Sequence, residues 1–314
     1  MIEIQRGNLN PADFLRCSRK EIAEIVKETG QPKCAAVMLD GTRRVLKLRP
    51  GFHDDRWLYH EDHITGLIHK SMEVADTLFD CGLGTVIGPL ASLGNLNRKD
   101  FMPLGLNRLL NPLLDEYSLS VYKKHNAAVT FYGDLDEARN MQGGEIIDKY
   151  IESFKKINPT VPQKHILIGI GFSTDRETEI ISNLAIDYFK ETGEKPTQKD
   201  LVNRYFGQDV PAIDIFIRTN ELKMSGGLTP LLAQHDTQLY FPVAPGIMSL
   251  TENTIKSILY DYLYSRVLSH GMHEHSPITE QEAEEVSTFY ESHQSEVLGL
   301  GRRVGDIWIH DYHE

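Results

Sequence analysis

The stretch CAAVMLDGTRRVLKL, residues 34–48, joins a run of small and apolar residues to an acid, a glycine and two adjacent arginines. Such a continuous apolar run is typical of a strand that is buried on both faces of a parallel sheet. Asp40, Arg43 and Arg44 follow where this strand ends. Because buried charges cost free energy unless they meet a charged partner, the end of the strand is a candidate ligand site.

Five more apolar runs, separated by helical patterns, are predicted to be strands. The six predicted strands cover residues 35–40, 85–91, 127–133, 165–172, 212–219 and 238–243. The helical pattern between the first two strands has one apolar stripe, which consists of Ile64, Leu67, Ile68, Met72 and Ala75. Strands that alternate with helices predict an α/β fold with a mostly parallel six-stranded sheet flanked by helices.

The length and composition are those of an ordinary globular protein. At 314 residues the chain can form one large domain, or one domain with a smaller addition. No apolar run reaches the ~20 residues that a bilayer-spanning helix needs. The N-terminus lacks the residue order of a secretory signal, and the three cysteines are odd in number and far apart. We therefore expect a reducing, cytoplasmic environment.

The balance of charge argues against nucleic acid as a partner. The formal net charge is −12, whereas a nucleic-acid-binding face needs clustered basic residues. Arginines gathered on an acidic protein instead favour a small anionic ligand, although a surface ion pair is the commoner role of any single arginine.

Polar residues follow three of the predicted strands. They are Asp40, Arg43 and Arg44 after the first strand, Ser92, Asn95, Asn97 and Arg98 after the second, and Arg218, Glu221, Lys223 and Ser225 after the fifth. Ligands of open parallel sheets bind beyond the carboxyl ends of the strands. We therefore expect these residues to converge on one basic pocket.

Three motifs at these strand ends resemble the signatures of the cis-prenyltransferase family, which includes undecaprenyl diphosphate synthase. DGTRRV at residues 40–45 resembles the family's Asp-Gly-Asn-x-Arg-Trp, and SLGNLNR at 92–98 resembles its Ser before Glu-Asn-Trp-Asn-Arg. IRTNELKMS at 217–225, followed by QLYF at 238–241, resembles Ile-Arg-Thr-Gly-Gly-Glu-x-Arg-x-Ser and Glu-Leu-Tyr-Phe. Each short match alone is common by chance, but the shared order and spacing over residues 35–268 make the set specific.

The resemblance implies a prenyltransferase with a catalytic domain at residues 1–268 and a helical C-terminal extension at 269–314. Members of the family condense an allylic prenyl diphosphate with a second five-carbon diphosphate, isopentenyl or dimethylallyl, and release diphosphate with the help of Mg²⁺. A hydrophobic tunnel takes the hydrocarbon, and its candidate wall residues are Leu67, Leu109, Leu110 and Leu113. A homodimer and peripheral contact with a membrane are also implied.

The resemblance also implies a role for each matched residue. The catalytic group, which orients the reacting carbon and accepts the lost proton, consists of Asp40, Ser92, Asn95 and Arg98. Asp40 is also expected to hold Mg²⁺. The substrate-binding group comprises Gly41, Thr42, Arg43 and Arg44 for the allylic diphosphate, Arg218, Lys223 and Ser225 for the second diphosphate, and His63.

The chain departs from the family pattern mainly at the second substrate. Asn220 replaces two glycines, Lys223 replaces an arginine, and Gln238 replaces a metal-binding glutamate for which Asp236 is the expected substitute. Lysine cannot form the bidentate contacts of arginine. Further departures lie at Thr42, Val45, Tyr59 and Gly94.

Three functions therefore stay open. Two are reactions: regular cis elongation with isopentenyl diphosphate, and head-to-middle coupling of two allylic diphosphates into lavandulyl-type branched products. The third is a non-catalytic subunit, or a prenyl phosphate-binding protein, of a heteromeric synthase.

Structural roles are the competing explanation for single residues. Asp40 alone is also explained as the N-cap of a helix, and Arg98 or Arg218 as a member of a structural ion pair. The histidines within residues 53–63 and 270–275 match no clean zinc spacing.

Overall fold

The computed structural model describes residues 9–38, 42–48, 61–98, 104–141, 143–173, 176–219, 222–223, 229–266, 279–305 and 307–310. Three residues of the predicted site, Asp40, Gly41 and Ser225, lie outside these ranges. The chain divides into two compact units, Met1–Ser265 and Arg266–Glu314.

Six parallel strands form the sheet of the first unit. They are β1 (Cys34–Met38), β2 (Thr85–Ser92), β3 (Ala127–Tyr132), β4 (Lys164–Phe172), β5 (Ile215–Arg218) and β6 (Gln238–Tyr240). Their order across the sheet is β3-β4-β2-β1-β5-β6, and every neighbouring pair is parallel. The predicted α/β fold is confirmed, because each strand overlaps its predicted run.

Helices connect the strands. They are α1 (Pro11–Arg16), α2 (Arg19–Thr29), α3 (Thr42–Lys47), α4 (Glu61–Asp80), α5 (Leu93–Leu96), α6 (Leu104–Leu110), α7 (Glu116–His125), α8 (Leu135–Asn140), α9 (Ile146–Ile157), α10 (Glu177–Thr192), α11 (Gln198–Phe206) and α12 (Glu252–Tyr260). Short 3₁₀ turns lie at Asn111–Leu114 and Ile247–Ser249, and a π-helical turn at Asp261–Ser265. Within the described ranges, no helix combines the length and apolar content that a membrane span requires.

The stretch of residues 106–126, whose apolar residues recur at helical spacing, is divided between α6 and α7. Pro112 interrupts it, because proline has no N–H to continue the hydrogen-bond ladder. Asp115 then starts α7 by accepting a hydrogen bond from the Ser118 N–H at 2.9 Å. The apolar periodicity runs through this break, so periodicity alone does not show it.

Successive side chains of the central strands pack on opposite faces of the sheet. On one face, Ala36 and Ile87 join a core that includes Phe206 of α11. On the other face, the adjacent residues Val37 and Val86 line a cavity together with α4. Both faces are apolar, which explains why the strands read as continuous apolar runs.

A network of charged side chains joins α2, α4, α7 and α12. Its members are Arg19, Asp76, Asp80, Lys124, His125 and Glu252. Asp76 Oδ1 contacts Lys124 Nζ and His125 Nε2, each at 2.7 Å, and its Oδ2 accepts from Arg19 Nη1 at 3.2 Å. Burial alone would raise the pKa of Asp76, but hydrogen bonds from Lys124 and His125 hold that pKa below its ordinary value.

The second unit contains one helix and a β-hairpin. The helix, α13 (Glu280–Ser292), begins with a capping box in which Thr279 and Glu282 bond each other. The strands β7 (Gly301–Val304) and β8 (Ile307–His310) pair antiparallel. The sequence analysis predicted the helix but not the hairpin, because strands of four residues carry too few alternations to be recognised.

The charge network yields a test of what holds α4 in place. We expect Asp76→Asn to lower the free energy of unfolding by about 2 kcal/mol at neutral pH, because an amide leaves the surrounding cations without their charge partner. A carboxyl whose pKa is lowered stabilises the folded state above its ordinary pKa of 3.8 and loses that contribution as the pH falls through the folded-state pKa. The difference between variant and unchanged protein should therefore shrink in acid, as measured by urea denaturation.

Asp136→Asn is the matched control. Asp136 contacts Arg139 at 2.6 Å, but its side chain is 92% exposed. Exposed pairs of this kind contribute little, so the change should stay within about 0.5 kcal/mol. Equal losses in the two variants would contradict a structural role for the network.

Candidate active site at the carboxyl edge of the sheet

The carboxyl ends of three central strands bring predicted site residues to one edge of the sheet. Ser92 ends β2, Arg218 ends β5, and β1 lies between these two strands. Arg218 pairs in register with Met38, the last residue of β1. Thr219 Oγ1 also donates to the Met38 carbonyl at 3.5 Å. Ser92 and Arg218 therefore lie at the carboxyl edge of the sheet, where β1 also ends.

Ser92 and Asn95 hold each other at the start of α5. Ser92 Oγ and the Ser92 N–H donate to Asn95 Oδ1 at 2.8 and 3.1 Å, and the Asn95 N–H donates to Ser92 Oγ at 3.2 Å. This reciprocal capping box fixes the rotamers of both side chains. The bonds use Oδ1 of Asn95, whereas its Nδ2 donors bond no described residue. The pair is a rigid polar group in which the Nδ2 donors of Asn95 take no part in the capping bonds.

Three basic residues of the prediction lie on or directly after helices of the first unit. Arg44 is half-buried on α3, which begins at Thr42 directly after β1 and the residues outside the description. Arg98 is half-buried just after α5. His63 is buried in the first turn of α4. Of Thr42 and Arg43 the structure describes the backbone, which forms the first turn of α3.

Arg218 is buried and holds the backbone that follows β5. It is 4% exposed, and its Nη1 donates to the carbonyl oxygen of Lys223. The side chain of Lys223 itself is exposed. Part of the Arg218 guanidinium thus anchors the segment that carries the third motif, in addition to any contact that it makes with a ligand.

Asp236 lies at the opposite edge of the sheet. Gln238 begins β6 and pairs with Ile215, the first residue of β5, so Asp236 precedes the amino end of its strand. The Asp236 carboxylate lies 3.2 Å from Nε2 of the adjacent His235. Asp236 is the expected substitute for the family's metal-binding glutamate at position 238, and that role stays a prediction.

A different group of side chains has metal-ligand chemistry. The ligand atoms of Asp76, Asp80 and His125 lie within 4.8 Å of one another. The side chain of Lys124 already bonds both carboxylates, at 2.7 and 2.8 Å. The group also lies near the amino ends of β2 and β3, away from the predicted site. It is accounted for by the charge network, and we assign no metal to it.

An apolar cavity lies between α4 and the sheet, and about 40 Å³ of it is open to the centres of water-sized molecules. Its strand-side lining consists of Val37, Val86, Gly88, Leu90, Ile166 and Ile168. On the helix side, Ile68 and Met72 contribute apolar surface. Leu90 lies two residues before Ser92, so the cavity runs along β2 toward the carboxyl edge.

One of the four leucines that were predicted to wall a tunnel lines this cavity. Leu113 lines the cavity. Leu67, Leu109 and Leu110 are buried but do not line it. These three leucines belong to the packed core, which is the ordinary fate of an apolar helix stripe.

Two glycines of the sheet have opposite surroundings. A Cβ added at Gly88 would meet no atom within 4 Å, so the space beside it belongs to the cavity. A Cβ added at Gly169 would lie 2.7 Å from the ring of Tyr132, so that glycine is needed for close packing.

The structure adds Glu177, which the sequence analysis did not single out. Glu177 opens α10 and is 4% exposed. Its Oε1 accepts from Thr229 Oγ1 at 2.6 Å, and its Oε2 from the Tyr205 hydroxyl at 3.4 Å. Burial raises the pKa of this carboxyl above its ordinary value. Acids are common in the first turn of helices, so the sequence carries no signal that distinguishes this one.

Comparisons with known proteins bear on the identity of this site. No family model matches the chain. Tuberculosinyl adenosine transferase of Mycobacterium tuberculosis (strain CDC 1551 / Oshkosh) is 29% identical over 300 residues, which are 95% of this chain and 97% of that protein.

Solved structures share the fold. Lavandulyl diphosphate synthase from Lavandula x intermedia, in complex with dimethylallyl diphosphate, has a TM-score of 0.61 and 15% identity over 80% of this chain and 100% of its own. A protein from Campylobacter jejuni, described as a probable undecaprenyl diphosphate synthase, has a TM-score of 0.54 and 17% identity over 76% of this chain and 98% of its own. The chain has the cis-prenyltransferase fold, and its predicted resemblance to that family is confirmed.

The burial of Glu177 predicts a specific dependence of stability on pH. Since its folded-state pKa is raised above the ordinary 4.5, the stabilisation is fully present below that value and is lost as the pH rises through the folded-state pKa. Glu177→Gln removes this titration, so the variant should gain stability relative to the unchanged protein as the pH rises above about 4.5. Thermal unfolding of both proteins measures the difference. A difference that does not change with pH would contradict the burial of an ionisable carboxyl.

Proposed function

We propose that the protein transfers a prenyl group from an allylic prenyl diphosphate to a second substrate and releases diphosphate. The observation that carries this proposal is the apolar cavity between α4 and β2, which runs toward the edge where Ser92 and Arg218 end their strands. A ligand that fits both features has an apolar chain at one end and a strongly anionic group at the other. A prenyl diphosphate has this construction.

The leaving diphosphate needs positive charge and hydrogen-bond donors at the carboxyl edge. Diphosphate departs from carbon readily only when its developing charge is neutralised. Arg44 and Arg98 follow β1 and β2 and supply cations, and Nδ2 of Asn95 supplies donors. A carboxylate is the hard oxygen ligand that Mg²⁺ prefers, so Asp40 would hold that ion, which neutralises part of the diphosphate charge.

The acceptor that we propose is a nucleoside. The relative that is similar over 95% of this chain is named for adenosine. The departures from the family pattern, Asn220, Lys223 and Gln238, lie in the motif that serves a second diphosphate in the family. A nucleoside carries no phosphate and needs no bidentate arginine clamp. In the reaction, a lone pair of the acceptor forms a bond to the first prenyl carbon as the bond from that carbon to the diphosphate oxygen breaks.

Coupling of two prenyl diphosphates is the second candidate. It is favoured by the buried Arg218 at the end of β5 and by the presence of Lys223 and Ser225 in the following motif. The product would be either a regular cis chain or a head-to-middle branched one. A non-catalytic subunit of a heteromeric synthase is the third, and it predicts no turnover by the chain alone.

The assembly and compartment stay predictions. The resemblance implies a homodimer with peripheral contact to a membrane, and the cysteine pattern predicts the cytoplasm. Sedimentation of the purified protein, with and without vesicles, would test the first two of these.

A pairing experiment separates the candidate reactions. The protein is incubated with prenyl diphosphates of increasing length, each with adenosine, isopentenyl diphosphate or dimethylallyl diphosphate, with Mg²⁺ or with a chelator. We expect a prenylated nucleoside and free diphosphate, identified by mass spectrometry, with a loss of more than about 100-fold in Asp40→Asn. The control variant Asp136→Asn should keep full activity. Prenyl–prenyl products would favour the second candidate, and the absence of diphosphate release from every pair would overturn the proposed enzyme.

The cavity predicts a change of donor length. Gly88→Leu extends a side chain into the cavity from a position where an added Cβ meets no atom within 4 Å, so it should shift the ratio of kcat/KM toward shorter donors by roughly tenfold or more. Gly88→Ala should give a smaller shift in the same direction. Gly169→Ala is the control, because its Cβ meets the Tyr132 ring and should lower stability rather than change donor length. An unchanged donor preference in Gly88→Leu would show that the hydrocarbon does not enter this cavity.

A further inference from the structure

The apolar cavity has walls on elements that are distant from one another in the chain. Ile68 and Met72 line it from α4, and Leu113 lines it from the 3₁₀ turn at Asn111–Leu114. Side-chain contacts rather than chain connectivity therefore hold these two walls together. The space open to the centres of water-sized molecules is about 40 Å³, so a small displacement of Leu113 would change a large share of it.

A hydrogen bond joins α4 to the residue directly after the 3₁₀ turn. His69, the residue after Ile68, has its Nε2 atom 2.5 Å from Oδ2 of Asp115. Asp115 comes two residues after Leu113. The side chains of His69 and Asp115 are 35% and 32% exposed, so the bond is partly shielded from water. The ring centroids of His69 and Tyr117, on α7, are 4.7 Å apart. The bond therefore ties one wall of the cavity to another.

Asp115 is in turn fixed to the 3₁₀ turn. Its Oδ1 accepts from the Ser118 N–H at 2.9 Å, and Ser118 Oγ donates to the Pro112 carbonyl at 2.6 Å. Burial would raise the pKa of Asp115, but hydrogen bonds from Ser118 and His69 hold that pKa below its ordinary value. The carboxylate is therefore charged at neutral pH, and a shift of Asp115 would move the turn with it.

A neighbouring ion pair on α4 lacks this role. Lys70 Nζ lies 2.6 Å from Glu73 Oε1, and the side chain of Glu73 is 48% exposed. Both residues belong to α4, so this pair ties no second element to the helix. It provides a matched control on the same helical turn as His69.

We propose that His69 is a positioning residue for the donor chain, which acts through its bond to Asp115 on the cavity wall at Leu113. The inference rests on the proposed function, in which the hydrocarbon of the donor lies in this cavity. His69 does not itself line the cavity. A wall that is tied to α4 resists displacement, so a donor that needs more room binds less well.

A comparison of donors tests the inference. Loss of a partly exposed charged hydrogen bond is equivalent to roughly tenfold or less in an equilibrium constant. His69→Ala should therefore shift the ratio of kcat/KM for geranylgeranyl over farnesyl diphosphate upward by about three- to tenfold. His69→Gln keeps an N–H donor and should stay within about twofold of the unchanged protein. Glu73→Gln, the matched control, should leave the ratio unchanged.

A double-mutant cycle identifies the bond itself. Asp115→Ser keeps a favoured N-cap for α7, but its hydroxyl ends short of the position of Oδ2, and it leaves the Tyr117 ring beside His69. It should shift the donor ratio as His69→Ala does, and the double variant should shift it no further. Additive shifts would overturn the proposed coupling, as would a loss of activity with an unchanged donor ratio. Asp115→Ser also serves where His69→Ala fails to fold.

Hydrogen–deuterium exchange tests the tie without any turnover. Peptides that include residues 111–119 should exchange faster in His69→Ala than in the unchanged protein, with no change in Glu73→Gln. Unchanged exchange would overturn the inference.

Equilibrium binding separates a failure of the inference from a failure of the proposed function. If the unchanged protein releases no diphosphate with any acceptor, the proposed function fails. Calorimetric titration with farnesyl and geranylgeranyl diphosphate in Mg²⁺ then decides the inference, which predicts the same shift in the ratio of the two affinities in His69→Ala. An unchanged ratio, or no binding of either donor, would overturn it.

Discussion

Parallel pairing of β1 with both β2 and β5 is the constraint on which the candidate site depends. The register sets Met38 beside Arg218, and the strand order puts β2 on the other side of β1. Parallel strands deliver their carboxyl ends to one edge, so segments that are far apart in the chain meet there. Ser92 and Arg218 are separated by more than a hundred residues but end strands that flank the same neighbour. Without this order, the polar motifs would be unrelated surface residues.

The amino and carboxyl edges of the sheet carry different kinds of side chains. Near the amino ends, Asp76 and its cationic partners tie α4 to α2 and α7. At the carboxyl ends lie Arg218 and the hydrogen-bonded pair of Ser92 and Asn95. α4 takes part in both features, because it carries two acids of the charge network and its apolar face forms one wall of the cavity. The charge network thus supports the shape of the space in which the donor chain is proposed to lie.

The sequence predicted the strands and the motifs well, because both are local signals. Apolar runs marked all six strands, and the order of the motifs indicated the fold that the comparison with solved structures confirmed. The edge of the sheet at which a residue lies is not a local signal: Asp236 follows the third motif closely in the chain, but it precedes β6 and therefore lies at the amino edge. Pairing register decides this, and a single sequence does not contain it.

Contacts between segments that are distant in the chain also could not be predicted from the sequence. Glu177 reads as an ordinary helix-opening acid, and only the fold shows Thr229 at 2.6 Å from it. The apolar stripe of residues 106–126 does not reveal that Leu113 lines the cavity while Leu109 and Leu110 fill the core. The sequence also does not mark Gly88 as a cavity residue, because what distinguishes it is the open space beside it. A cavity of this kind depends on the empty space between side chains as well as on the side chains that line it.

The location of the bound donor tests the account most directly. A crystal structure with an allylic prenyl thiolodiphosphate, which ionises slowly, would show where each end of the ligand lies. The account predicts the hydrocarbon between Met72 of α4 and Gly88 of β2, with its diphosphate at the carboxyl edge beside Asn95 and Arg98. A ligand bound elsewhere, or bound in reverse with its diphosphate toward the amino ends of the strands, would contradict it.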